Sequence, residues 1–291
     1  MKADRGVKWF IPPSEELVLR TSLIRTFLRC PAQALFRYFK GLIVLPNSML
    51  TFGSCGHKTA EYQNRYKHKK GRDAKLSTLQ DVFHEEFKGR RKKTKWLKGE
   101  NQNKLEVYGT DLVVPVYYRD LAKKTEPLKV EEPFKLRLKK FNLVVTGTID
   151  LVTTKRTITD YKFKKRAPRW NDGMNSTQGK TYQLGYDATF KRPSAGFALE
   201  GIVKKAAPET FKLKPYKMSS REEELFTEKI GQIAMQMRMG LFYPCGEGNY
   251  FCSKNWCGFW EICHKGAWRQ LPVESRMFNM NTLDEEGEDE D

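Results

Sequence analysis

The stretch that most restricts this chain is residues 141–165, FNLVVTGTIDLVTTKRTITDYKFKK. Asn142–Val152 and Thr157–Lys164 are rich in β-branched residues and read as strands, with Thr153–Arg156 as the turn between them. Each strand carries one acid. Asp150 ends the GTID tetrapeptide, and Asp160 opens Asp160-Tyr161-Lys162. Side chains two apart on a strand share a face, so Asp160 and Lys162 point the same way, and a hairpin brings Asp150 beside them. Two carboxylates can hold a hard divalent cation, and a lysine beside them can orient a water or stabilise negative charge. Either acid taken alone is more simply a solvated turn or edge residue.

The charge of the chain points to its partner. The net charge is +18, and seven acids crowd residues 284–291; without them the remaining 283 residues carry +25. A body this basic reads as a polyanion binder, most simply of nucleic acid. The strongest basic runs are RYKHKKGR from Arg65 and KGRRKKTKWLK from Lys88, and Trp96 in the second run can stack on an unpaired base. A membrane surface is the weaker reading, because no basic amphipathic helix or lipidation motif stands out. No apolar run approaches the ~18 residues of a membrane span. The opening MKADRGVKWFIPP has no apolar signal region, so a cytoplasmic, unsecreted protein is expected.

Local patterns alternate between helix and strand. Thr21 can cap a helix over Ser22–Arg29, and Pro31 suits the first turn of a second helix to about Lys40. A third helix from about Met49 to His68 places Gly53, His57 and Glu61 on one face; the glycine there suggests close approach of another backbone. Leu79, Val82, Phe83 and Phe87 give one amphipathic helix, and residues 108–122 a short one. Val130–Leu138 reads as strand, 176–191 as helix, Ala195–Val203 and Phe211–Tyr216 as strands. A long helix from Arg221 to about Met239 ends at Gly240. The organisation expected is a single domain over 1–283: a helical part at about 14–125, a core at about 126–240, a cysteine-rich segment at 244–266, and a disordered acidic tail at 284–291.

Six cysteines in an unsecreted chain suit metal ligation better than disulfides. Cys252, Cys257 and Cys263 fall within twelve residues, FCSKNWCGFWEICHKG. Cys245 can supply a fourth thiolate locally, or Cys30 can supply it from the other end of the chain. Four thiolates suit zinc or an iron–sulfur cluster. Cys55 reads as a small buried residue.

These segments, in this order, resemble the RecB-like nucleases of the PD-(D/E)XK superfamily, in particular the iron–sulfur subgroup of the AddB nuclease domain and the CRISPR-associated RecB-like exonucleases. SLIRTFLRCPAQALFRYF resembles the family's opening segment, which implies Cys30 as the first cluster ligand. FGSCGHKTAEY resembles the helix with the metal-binding histidine, His57. VEEPFKL with GTID, then DYK, imply Asp150 and Asp160 as metal ligands, Lys162 as the catalytic lysine and Tyr161 as a ligand through its backbone carbonyl. Cys252, Cys257 and Cys263 would complete the [4Fe-4S] site, though the family spaces its first pair two residues apart and this chain four, which keeps zinc as the alternative. The family also carries Q-x-x-x-Y on the next helix. Gln183 with Tyr186 is one residue short; Gln178 with Tyr182 has the spacing but less apolar surroundings. Gln183 and Tyr186 are the favoured DNA contacts.

The resemblance implies an α/β fold with a restriction-endonuclease-like core, a central mixed sheet flanked by helices. It implies a Mg²⁺- or Mn²⁺-dependent exonuclease on single-stranded DNA or DNA ends, in recombination, repair or replication of a bacterial, archaeal or phage-infected cell. With no G-x-x-x-x-G-K-[ST] in the chain, unwinding must come from a partner helicase or recombination protein, which the acidic tail can recruit. The competing class is a non-catalytic single-strand-binding recombination protein with a structural zinc site.

Overall fold

A computed structural model describes residues 10–246 and 248–266; the acidic tail at 284–291 lies outside the described residues. The elements are β1 (Leu17–Arg20), α1 (Thr21–Arg29), α2 (Pro31–Ala34), α3 (Ser48–Lys70), α4 (Leu76–Arg90), α5 (Gln102–Val107), α6 (Val114–Asp120), β2 (Pro127–Leu138), β3 (Leu143–Thr153), β4 (Ile158–Lys164), α7 (Asp172–Asn175), α8 (Thr177–Phe190), β5 (Phe197–Val203), β6 (Glu209–Lys212), α9 (Ser220–Arg238) and α10 (Trp260–His264).

The strands form one mixed sheet in the order β1-β3-β4-β5-β6, with β2 also paired to β3. β1 runs parallel to β3, β3 antiparallel to β4, β4 parallel to β5, and β5 antiparallel to β6. Helices flank this sheet, so the expected α/β class is what the chain adopts. β4 and β5 are its centre and are buried almost end to end. Parallel strands joined by a helical crossover are covered on both faces and so read as nearly continuous apolar runs.

The chain separates into two compact units. One takes the described residues of Met1–Val44, Lys135–Gly147 and Ser220–Glu285; the other takes Leu45–Phe134 and Thr148–Ser219. In the first, Leu23, Ile24 and Phe27 form the buried face of α1, which ends at Cys30 because the following Pro31 disfavours a helical residue before it. Thr21 is not the cap. It is the first helical residue, and its hydroxyl donates to the Thr146 carbonyl at 3.2 Å beside the β1–β3 pairing. Pro31 opens α2 as expected, and the last turn widens over Leu35–Phe39.

In the second unit, Asn47 caps the 23-residue α3 by accepting from Leu50 N, and Gly71, at φ +67°, ends it in the left-handed region that glycine tolerates. The core here joins Phe52, Phe83, Phe87, Tyr117, Tyr161 and Phe163. Each such ring contributes ~1.5–3 kcal/mol by leaving water. Cys55 sits wholly inside this core, as its small size suggested. On α3 the close approach is found at Gly56, where a Cβ would lie 2.5 Å from the Phe163 ring.

Candidate active site

The hairpin sets the geometry. Thr153 N donates to Thr157 O, Arg156 N donates to Thr153 O, and Arg156 takes φ +61° to close the turn. The pairing that follows is Val152 with Ile158 and Leu151 with Thr159. One further step along this register sets Asp150 opposite Asp160. Directly opposed residues of an antiparallel pair share a face, so the two acids converge. Asp160 is fully buried and Asp150 is 8% exposed.

Alternation along β4 divides the work. Tyr161 and Phe163 point into the helical core, where Tyr161 hydroxyl meets Thr125 Oγ1 at 3.2 Å. Burial, and then the nearby Glu200 carboxylate, hold that phenol above its usual range. Asp160 and Lys162 point the other way, and Lys162 Nζ lies 3.3 Å from Asp160 Oδ2. Lys162 is placed by its β5 neighbour as well. Gly201 is its register partner, and a Cβ there would strike the Lys162 carbonyl oxygen.

α3 delivers the third donor. His57 Nδ1 lies 3.5 Å from Asp150 Oδ2, and the imidazole rests edge-on against Phe163 at 5.9 Å between centroids. Among the described residues, His57, Asp150 and Asp160 are the group whose ligand atoms all lie within 4.8 Å of one another. One imidazole nitrogen and two carboxylate oxygens at that spacing fit a Mg²⁺ or Mn²⁺ ion, which binds hard oxygens at ~2.1 Å and fills its other positions with water. Two carboxylates buried this close are costly to ionise together, and a cation bound between them would offset that cost. Glu61, one turn beyond His57, is engaged elsewhere. Burial pushes its carboxyl up, but hydrogen bonds from Lys58 (2.9 Å) and Arg65 (2.7 Å) outweigh that and hold it below the usual carboxylate range.

α8 covers the face that bears Asp160 and Lys162. Phe197, the register partner of Ile158, meets α8 at Gly179, where a Cβ would lie 2.2 Å from the ring. Tyr182 and Gly185 lie against Phe134 of β2, the strand paired with β3. Gln178, one turn before Tyr182, donates to its hydroxyl at 2.9 Å, and both are buried. Gln183 faces a different neighbour: its side-chain oxygen accepts from Met218 N at 3.1 Å. Tyr186 packs against Phe190, 4.7 Å between ring centroids. Tyr182, Gly185 and Tyr186 therefore share the side of α8 toward β2, and Gln178 joins it through Tyr182.

The cysteines gather in the other unit. Cys30, Cys245, Cys252, Cys257 and Cys263 line one pocket, floored by Phe36 and Phe259. Gln33 Nε2 donates to Cys257 Sγ at 3.3 Å. Burial, then the Cys30 and Cys252 thiols, push Cys245 up to about 12; burial, then Cys30 and its neighbours, push Cys263 up to about 11. Ionising one thiol among others is unfavourable unless a cation lies between them. No three of the sulfurs meet the 4.8 Å spacing that the His57 group does. A tetrahedral zinc with ~2.3 Å bonds needs sulfurs closer than that. The cysteine geometry by itself does not support a [4Fe-4S] cluster either.

The basic run around Trp96 differs from its expectation. Trp96 packs at 6.1 Å from Phe87, and its indole N–H donates to Arg91 O at 3.0 Å, so the ring is partly covered by the core. No helix among the described residues is long and apolar enough to cross a membrane.

Comparison with known proteins agrees with this geometry. The family model described as the PD-(D/E)XK nuclease superfamily matches residues 21–264. The solved structure of a candidate exonuclease from Eubacterium rectale superimposes with a TM-score of 0.54 at 11% sequence identity, over 80% of this chain and 87% of that one. No curated protein matches the sequence.

Proposed function

Because the chain belongs to the PD-(D/E)XK nuclease superfamily, we propose that it is a divalent-metal-dependent deoxyribonuclease of the RecB-like type. It would act as an exonuclease on single-stranded DNA or DNA ends in recombination, repair or replication. The observation that carries this reading is the convergence of His57, Asp150 and Asp160 within 4.8 Å, with Lys162 Nζ 3.3 Å from Asp160. A pure binding protein has no use for two buried carboxylates and a buried lysine, each of which costs several kcal/mol to desolvate.

In this reading Asp150, Asp160 and His57 hold one or two Mg²⁺ or Mn²⁺ ions, with the Tyr161 carbonyl as an added ligand. A metal bound there would polarise the scissile phosphate and lower the pKa of a coordinated water. Lys162, tethered by Asp160, donates a hydrogen bond to the attacking water or to a phosphate oxygen as negative charge builds. Burial matters here, because a fixed cation in a dry site acts more strongly than one in water. We favour Gln178 with Tyr182 over Gln183 with Tyr186 as DNA contacts, since they have the family's spacing and Gln183 is already engaged by Met218 N. The cysteine pocket is given no step in the reaction. An iron–sulfur site there rests on the resemblance and a zinc site on the cysteine spacing, and iron, sulfide and zinc analysis of anaerobically purified protein tests both.

The direct test uses end-labelled single-stranded and duplex DNA. Wild type should release nucleotides only with added Mg²⁺ or Mn²⁺. Asp160→Asn and Lys162→Ala should each lower kcat by at least ~10²-fold while keeping DNA affinity. Undiminished cleavage by either variant removes the assignment.

A further inference from the structure

Trp170 is 78% exposed, more than any other large apolar side chain among the described residues. Indoles are usually largely buried, because their apolar area is costly to leave in water. This one stands in the segment Lys164-Lys165-Arg166-Ala167-Pro168-Arg169-Trp170, which holds four cations and no acid. Lys165, Arg166 and Arg169 are exposed as well. The segment leaves the end of β4, the strand of Asp160 and Lys162, and leads into α7 and α8.

The ring is not on a loose tip. Arg169 N donates to the Asp172 carboxylate at 2.9 Å, and Asp172 N donates back to Arg169 O at 3.1 Å, so Trp170 sits on the crown of a closed turn. Pro168 fixes its own φ and restricts Ala167 to extended backbone, which stiffens the approach. The indole is therefore displayed at little entropic cost to whatever it meets.

We propose that Trp170 and the cations before it form a stacking platform for single-stranded DNA, which gives the enzyme its preference for unpaired strands. The inference rests on the nuclease reading above and names its substrate. Every base has a face on which an indole stacks, whereas in a duplex those faces are occupied; cations alone attract either form. Phosphates beside the stacked base would meet Arg166 and Arg169. Trp170 follows Lys162 by eight residues, so their Cα atoms lie at most ~28 Å apart and the platform stands on the approach to the site.

The test compares binding of a fluorescein-labelled single-stranded oligonucleotide with that of its blunt duplex, in EDTA so that nothing is cleaved. Trp170→Ala should weaken single-strand binding by about 5- to 150-fold, the range for loss of one stacked base, and leave duplex binding within about 2-fold. Trp170→Phe should recover most of the loss. Arg166→Ala should instead weaken both forms and lower the salt slope by about one unit. With Mg²⁺ added, Trp170→Ala should raise KM on single strands and keep kcat. Equal loss on both forms, or no loss, overturns the proposal. So does a Trp170→Ala effect on self-association alone, which would assign the turn to contact between copies of this chain. If wild type cleaves no DNA, the nuclease reading falls, while the comparison in EDTA still decides the role of Trp170.

Discussion

At the scale of single residues, the site depends on positions that hold no chemistry themselves. Gly201 is the clearest. It lies beside Lys162 in the β4–β5 register, and any Cβ would press into the Lys162 carbonyl, so β4 must move if β5 keeps its place. Overpacking of this kind costs ~1–3 kcal/mol. Gly201→Ala should therefore lower stability by that order in urea unfolding. It should also lower kcat more than it raises KM, because Lys162 shifts against the acids while the DNA-binding surface stays. A variant with unchanged kcat would show that the lysine tolerates the shift. Phe163 has a similar supporting role: it fills the space that Gly56 leaves open and backs the His57 ring, so side chains on both faces of β4 serve one site.

At the scale of elements, α8 offers the sharpest test. Gln178→Ala should cut the rate of the folded enzyme at saturating metal by roughly 10-fold or more, beyond the about 0.5–1.5 kcal/mol of stability it loses with the buried bond to Tyr182, if its amide contacts the strand near the scissile bond. Gln183→Ala should behave oppositely. It removes the acceptor for Met218 N, costing about 1–3 kcal/mol of stability through a buried unpaired donor, and leaves the rate of the folded enzyme near wild type. The reverse pattern, read from steady-state kinetics and denaturant curves, would return the role to Gln183. The same helix shows where the sequence stopped being legible. The β3–β4 hairpin was readable because strand periodicity and turn chemistry are local, and with them came Asp150, Asp160 and Lys162. The length of α3 and its His57 face followed from helical spacing. Which glutamine of α8 is held by Met218 N depends on how the helix rotates onto the sheet. That is fixed by Gly179 against Phe197 and Gly185 against Phe134, contacts between residues 18 or more apart. β1 was missed for the same reason: four residues, LVLR, carry too little pattern, and its partner Leu143–Thr146 lies more than 120 positions away. The contact of Trp96 with Phe87 was not legible, because a tryptophan among lysines looks the same in sequence whether its ring faces solvent or a neighbouring ring.

At the scale of the whole molecule, charge and burial make separable demands. The chain carries 53 Lys and Arg against 35 Asp and Glu, and most of those cations are on the surface. Attraction of such a surface to a phosphate backbone is screened over ~8 Å at physiological ionic strength, so DNA capture must weaken steeply with salt. The metal constellation lies under different conditions. Asp160 is fully buried and Lys162 only 5% exposed, where mobile ions screen little. Raising KCl at fixed free Mg²⁺ should therefore raise KM along a straight line in log–log coordinates, with a slope of ~0.7 per phosphate contacted on single strands. Over the same range kcat should change by less than about 2-fold, because Lys162 and Asp160 are already desolvated and paired before the strand arrives. A kcat that fell as KM rose would mean that the cations completing the reaction are exposed ones, and Lys162 would lose its assigned role to the basic surface. A flat KM would mean that the +18 net charge does not serve DNA binding at all.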